Sequence, residues 1–195
     1  MDGVSTPAPI QTEDSELLVR IAQGDARALD ELFRRHRTTA YRVSYRLLSN
    51  EADALDAVQE GFANALANLS KFRGGSSFKT WLLRIVSNAS VDLGRQRQRR
   101  DSRYTATVAD DHMNLIADQP PPEAGLERAD LRERLKVALA AIPELQRQTF
   151  VLHIDGQLSY QEVAEALGIS IGTVMSRIFY ARKRLQTLLA DYVCP

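Results

Sequence analysis

Six side chains near the C-terminus fall on one face of a helical pattern: Thr173, Ser176, Arg177, Tyr180, Lys183 and Arg184. Their types suit the reading of duplex DNA. Short hydroxyls at a helix start approach base edges and phosphates, and an arginine can reach guanine O6 and N7 with two hydrogen bonds. Cations further along the same helix meet the phosphate backbone. A second set lies earlier, at Phe72, Trp81, Arg84, Asn88 and Arg95. Rings that stack on unpaired bases, an amide that reads base edges and arginines for phosphates are the groups that single-stranded DNA needs. The residues equally allow a Trp81 packed in a core beside merely solvated arginines. Neither set holds a nucleophile–base pair or facing carboxylates, so no catalytic residue and no enzyme is expected. The single cysteine, Cys194, and three scattered histidines (His36, His112, His153) leave no metal site and no cofactor in prospect.

The elements that must position the first set are legible. Ser159-Tyr-Gln-Glu162 is a capping box that opens a short helix with Val163, Ala164 and Leu167 inward. Gly168 ends it, Ile169-Ser170-Ile171 makes a tight apolar turn, and Ser170 caps the last helix. From about Gly172, Val174, Ile178, Ala181, Leu185 and Leu188 recur at helical spacing and bury, leaving the six candidates outward. That is a helix-turn-helix with its recognition helix, although a helical hairpin with a solvated basic face has the same spacing. Two helices precede it. One carries Leu131, Leu135, Ala138 and Ile142 and stops at Pro143. The other runs from about Glu144 to Asp155, with Gly156 as its left-handed cap.

The second set sits in a block of about four helices. Asp14 or Ser15 caps a short first helix ending at Gly24, and Asp25 opens the second, with Leu29, Leu32, Phe33, His36, Ala40, Val43 and Leu47 on one stripe. The third starts near Glu51 with Leu55, Val58, Phe62, Leu66 and Leu69 inward. After the interruption KFRGGSS, the fourth spans about Phe78 to Arg100 with Phe78, Leu82, Ile85 and Ala89 inward. The expected fold is therefore all-α: a tail over residues 1–14, a helical domain over 15–100, a flexible linker over 101–125 that holds Pro120 to Pro122, and a second helical domain over 126–193.

Composition agrees once charges are located. Basic and acidic residues number 25 each, which looks unlike a nucleic-acid binder. Yet Arg95, Arg97, Arg99, Arg100 and Arg103 form one cluster, and Arg177, Arg182, Lys183 and Arg184 another. The acids Asp101, Asp110, Asp111, Asp118 and Glu123 lie between. That acidic linker either shields the basic faces or is a solvated spacer. No signal peptide and no apolar run of membrane-spanning length is present, so neither membrane insertion nor export is expected, and the chain reads as cytoplasmic.

The blocks SKFRGGSSFKTWLLRIVSNASVDLGRQRQRR, DALDAVQEGFANAL and LRERLKVALAAIPELQRQTFVLHIDGQLSYQEVAEALGISIGTVMSRIFYARKRL resemble, in order, regions 2.3–2.4, 2.2 and 4 of bacterial RNA polymerase sigma factors of the extracytoplasmic-function (ECF) group. The resemblance implies an alternative sigma factor. Such a factor binds core polymerase through the β′ clamp helices and the β flap, directs it to promoters and assists melting, often under stress. It is held inactive by an anti-sigma factor. By resemblance, Asp53, Asp56, Gln59 and Glu60 dock on the clamp helices. The Phe72-to-Phe78 loop and Asn88 take a flipped base of the −10 element, and Trp81 with the basic helix end holds the melted strand. Thr173, Ser176 and Arg177 match positions that meet the −35 element. The rivals are a dimeric helix-turn-helix regulator that needs no polymerase, and a helical nucleic-acid enzyme.

Overall fold

The computed structural model describes residues 10–72, 74–107 and 123–190, with side chains described over 14–72, 74–100 and 130–190. Among these residues there are eight α-helices and no strand. They are α1 (Ile10–Ala22), α2 (Ala26–Leu48), α3 (Glu51–Ala67), α4 (Phe78–Thr107), α5 (Glu123–Ala140), α6 (Glu144–Ile154), α7 (Tyr160–Leu167) and α8 (Ile171–Leu188), with a 3-10 turn at Leu69–Lys71. The proline run, the acids at 110, 111 and 118, and Cys194 lie outside the described residues.

Helices α2, α3 and α4 pack on one another, and α1 lies along α2. The α2 stripe behaves as the spacing predicts, with Leu32, His36, Ala40, Val43 and Leu47 buried. Helix α3 does not. Leu55 and Leu66 are about half exposed, and the inward face is Ala54, Ala57, Val58, Gly61 and Ala65. The cause is distance between helices. A Cβ built on Gly61 would meet Val86 Cγ2 at 2.8 Å and Val86 Cα at 3.0 Å. A face of small residues lets α3 press against α4, where leucines would hold it off.

The first helix also differs. It begins at Ile10, so Asp14 lies inside α1 rather than at its cap. Asp14 is buried, with Oδ2 2.8 Å from His36 Nε2 and Oδ1 accepting from Arg35 Nη1 at 2.9 Å. Burial pushes its pKa up, but the hydrogen bonds and charges of His36 and Arg35 outweigh burial and hold the carboxyl below its ordinary range. A partner 22 residues away leaves no local trace in the sequence. Helix α4 runs past Arg100 to Thr107; no glycine or proline interrupts that stretch.

In the C-terminal half, α6 and α7 pack against α8, and Ala138 and Leu139 of α5, with Ile142 just after it, join Ala181 and Leu185. Leu131, expected inward, is 43% exposed. Gly156 is not the left-handed cap of α6; that conformation falls at Gln157 (φ 53°). Gly156 is required for another reason, since a Cβ there would stand 2.4 Å from the Leu152 carbonyl oxygen. The two halves touch directly, α2 meeting α5 and α6, and α4 meeting α6 and α7.

Candidate nucleic-acid interface

The helix-turn-helix is α7 and α8. The Ser159 N–H and hydroxyl both donate to Glu162 Oε2, at 2.9 and 2.8 Å, and the Glu162 N–H donates to Ser159 Oγ at 3.2 Å. Gly168 closes α7 in the left-handed conformation, and Ser170 Oγ accepts from the Thr173 N–H at 3.2 Å to start α8. Val174, Ile178, Ala181 and Leu185 are buried, so α8 has one fixed outward face; Leu188, also expected inward, is 46% exposed at the helix end. Ser176, Tyr180, Lys183 and Arg184 are exposed on it, whereas Thr173 and Arg177 are half-buried at its edge. The sequence reading missed Met175 and Phe179, exposed on the other flank. Phe179 meets Tyr180 edge-to-face, with centroids 5.5 Å apart. Centring the helical wheel on the buried residues rather than on the hydroxyls would have found both.

The second set is assembled by α4 and the loop before it. Phe72, Phe78 and Trp81 form a ring cluster with centroids 5.3 to 5.8 Å apart. Phe78 is fully buried, while Phe72 and Trp81 are half-buried and remain in part accessible. Trp81 thus lies between the two expectations. Arg84, Asn88 and Arg95 continue from it as one exposed stripe, since steps of three, four and seven residues return to the same helix face. Two of these three touch the other half of the chain. Asn88 Oδ1 accepts from Gln148 Nε2 at 3.1 Å, and Arg95 Nε donates to Glu144 Oε1 at 3.1 Å. The Glu144 hydrogen bond and charge raise the Arg95 pKa further.

On α3, Asp56, Gln59 and Glu60 are exposed together. Asp53 belongs to the same turn sequence but is half-buried and paired with Arg97 of α4. Beside this face, Leu55, Val58 and Phe62 line a cleft of about 640 Å³ between α2 and α3. Among the described residues no single helix is long and apolar enough to cross a membrane; α7 with α8 passes a length-and-composition test only as a pair bent by 106°.

Comparison with known proteins gives a consistent picture. Residues 32–100 match the family model for Sigma-70 region 2, and residues 132–185 match that for Sigma-70, region 4. The chain is 37% identical over 175 residues to the ECF RNA polymerase sigma factor SigE of Mycolicibacterium smegmatis, covering 88% of this chain and 66% of that one. It is 34% identical over 191 residues to the RNA polymerase sigma-H factor of Pseudomonas aeruginosa, covering 93% and 98%. Among solved structures it is similar to the sigma factor RpoE of Bartonella quintana in complex with the anti-sigma factor NepR. That match has a TM-score of 0.58 and 29% identity, covering 80% of this chain and 91% of that one.

Proposed function

Because the chain belongs to the ECF group of RNA polymerase sigma factors, we propose that its two DNA faces divide promoter recognition between them. The α8 face holds the −35 duplex. Ser176, Tyr180, Lys183 and Arg184 make direct contact, and Thr173 and Arg177 approach from its edge. The Phe72, Trp81, Arg84, Asn88 and Arg95 surface takes the melted −10 strand, stacking a base on the half-buried aromatic pair and reading it with the Asn88 amide. Opening the duplex costs pairing and stacking energy, and the captured base offsets part of it. The exposed acids of α3 dock on the β′ clamp helices of core polymerase, and the C-terminal domain meets the β flap. Asp53 positions this face through Arg97 rather than touching the partner itself.

The observation that carries this reading is the separation of two unlike surfaces, one of hydroxyls and cations on a helix-turn-helix and one of rings, amide and arginines on α4. A dimeric repressor has use for the first only. The chain acts as an initiation factor in the cytoplasm and makes no bond itself. An anti-sigma factor binds it and holds it inactive, a partner of the kind seen with the similar RpoE. Adding the purified chain to sigma-free core polymerase with a genomic fragment library tests the reading. Transcripts from a common pair of spaced elements are expected. Tight operator binding without polymerase, and no transcripts, would instead support a stand-alone regulator.

A further inference from the structure

We propose that the cleft between α2, α5 and the end of α6 is a binding site for a free nucleoside di- or triphosphate, separate from both DNA faces. The cleft has a volume of about 390 Å³, within the range of small-molecule sites. Its walls come from both halves of the chain. Tyr41, Arg42, Tyr45 and Arg46 line it from α2, and Arg132 and Lys136 from α5. No residue of α4, α7 or α8 lines it, so it shares nothing with the surfaces assigned to promoter DNA.

The cations form two facing rows. Arg42 and Arg46 stand one turn apart on α2, and Arg132 and Lys136 one turn apart on α5. Bringing positive side chains together costs Coulomb energy unless anions sit among them. The lining holds two carboxylates, Glu133 and Asp155, so two positive charges are left over. Even these two neutralise poorly. Lys136 Nζ lies 3.3 Å from Glu133 Oε1 in an exposed pair on one helix, a weak kind of contact. Asp155 Oδ1 accepts from Arg46 Nε at 3.3 Å. Burial pushes the Asp155 carboxyl above its ordinary range and Arg46 and Arg42 offset only part of that, so the pair does not repay the cost of burying the charge. Arg42 donates to the Thr39 hydroxyl at 3.4 Å and meets no carboxylate, and Arg132 has no hydrogen bond or ion pair among the described residues.

The rings say what else the anion carries. Tyr41 and Tyr45 stack on each other, with centroids 6.0 Å apart and planes 22° from parallel, and Tyr45 is 37% exposed. An inorganic anion has no use for that ladder. A nucleobase extends it, because every base has a face that stacks on an aromatic ring. The arginine forks then hold phosphate oxygens two at a time, and Lys136 adds a point charge. A nucleoside di- or triphosphate supplies both the ring and the several negative charges that the two rows call for. Since the rows belong to different halves, its affinity depends on both, and its binding ties α2 to α5.

The test is calorimetric titration of the full chain with ATP and with GTP, and with sodium triphosphate and adenosine as the two parts of the ligand. The nucleotides are expected to bind about tenfold more tightly than triphosphate, and adenosine to give no measurable heat. Arg42→Ala and Arg132→Ala, one on each wall, are each expected to weaken nucleotide binding about tenfold. Tyr45→Ala is expected to weaken it by a similar factor and to leave triphosphate binding unchanged. Arg134→Ala removes a cation of α5 that does not line the cleft, and is expected to change nothing.

Each contrary result overturns a stated part. Triphosphate that binds as tightly as ATP, with Tyr45→Ala without effect, makes the cleft a bare polyanion site and removes the nucleotide. A loss with Arg42→Ala but none with Arg132→Ala overturns a site built from both halves. A short single-stranded DNA that displaces ATP gives the cleft to a nucleic-acid strand rather than to a free nucleotide. Absence of binding by both nucleotides overturns the proposal outright, and leaves the promoter-DNA faces on α4 and α8 untouched.

Discussion

Replacing Gly61 and Gly94 by alanine, one at a time, should shift stability in opposite directions although the chemistry is identical. Both glycines are inside helices, α3 and α4, where alanine is favoured by about 1 kcal/mol. At Gly94 the new Cβ meets only the Leu48 Cδ2 methyl at 3.4 Å, an ordinary contact with the end of a flexible side chain. The propensity gain survives, and Gly94→Ala should stabilise by roughly 0.5–1 kcal/mol. At Gly61 the Cβ would lie 2.8 Å from Val86 Cγ2 and 3.0 Å from its Cα. A backbone atom cannot rotate away, so α3 must back off from α4, at a cost of about 1–3 kcal/mol that outweighs propensity. The net loss should be about 1 kcal/mol. With a urea slope of about 1–3 kcal/mol per molar, the midpoints should move by roughly 0.5 M up for Gly94→Ala and down for Gly61→Ala. If Gly61→Ala raised the midpoint as Gly94→Ala does, the small-residue face of α3 would not be its inner face. The outward placement of Asp56, Gln59 and Glu60 would then be wrong as well.

Further expectations concern the binding faces and acid stability. Asn88→Ala should relax −10 selection in polymerase-dependent transcription while leaving −35 duplex binding nearly intact; a loss of −35 affinity in a duplex shift assay would break the division of labour. Lys183→Ala should weaken duplex binding about equally across sequences and lower the salt slope by about one, whereas a sequence-selective loss in a salt titration would make it a base reader. Ser159→Ala removes the capping box and should cost about 1 kcal/mol in chemical denaturation; no change would mean that α7 is held by its neighbours alone. Asp14 contributes stability that is present above its ordinary pKa of 3.8 and is lost as pH falls through its lower folded value, because its carboxyl is depressed by His36 and Arg35 after burial is overcome. Proteolysis of α1 should therefore rise below about pH 4, and Asp14→Asn should abolish that dependence; an unchanged profile in the variant would exclude this cluster as the cause.

The helix-turn-helix was legible because everything that shapes it is local. The Ser159–Glu162 box, Gly168 and the Ser170 cap act within three residues of themselves, and the buried stripe of α8 repeats at helical period. What escaped was decided between helices. The inner face of α3 depends on how near α4 stands, so small residues won over Leu55 and Leu66, which hydrophobicity alone would have turned inward. Gly156 answers to a neighbouring carbonyl rather than to a left-handed dihedral, and no local pattern tells the two apart. Asp14 found partners on another helix. The surface proposed to take the strand has its ring, amide and arginines at helical spacing in the sequence, yet the hydrogen-bond partners of Arg95 and Asn88, Glu144 and Gln148, lie 49 and 60 residues away and follow no periodicity.

The division of labour is tested most directly by permanganate probing of unpaired thymines in a promoter bound by core polymerase and this chain. The account expects reactive thymines across the −10 element with wild type. In the Trp81→Ala, Arg84→Ala, Asn88→Ala triple variant that reactivity should be lost while the −35 element stays protected from cleavage. Unchanged thymine reactivity in the triple variant, or loss of −35 protection together with it, would contradict the account.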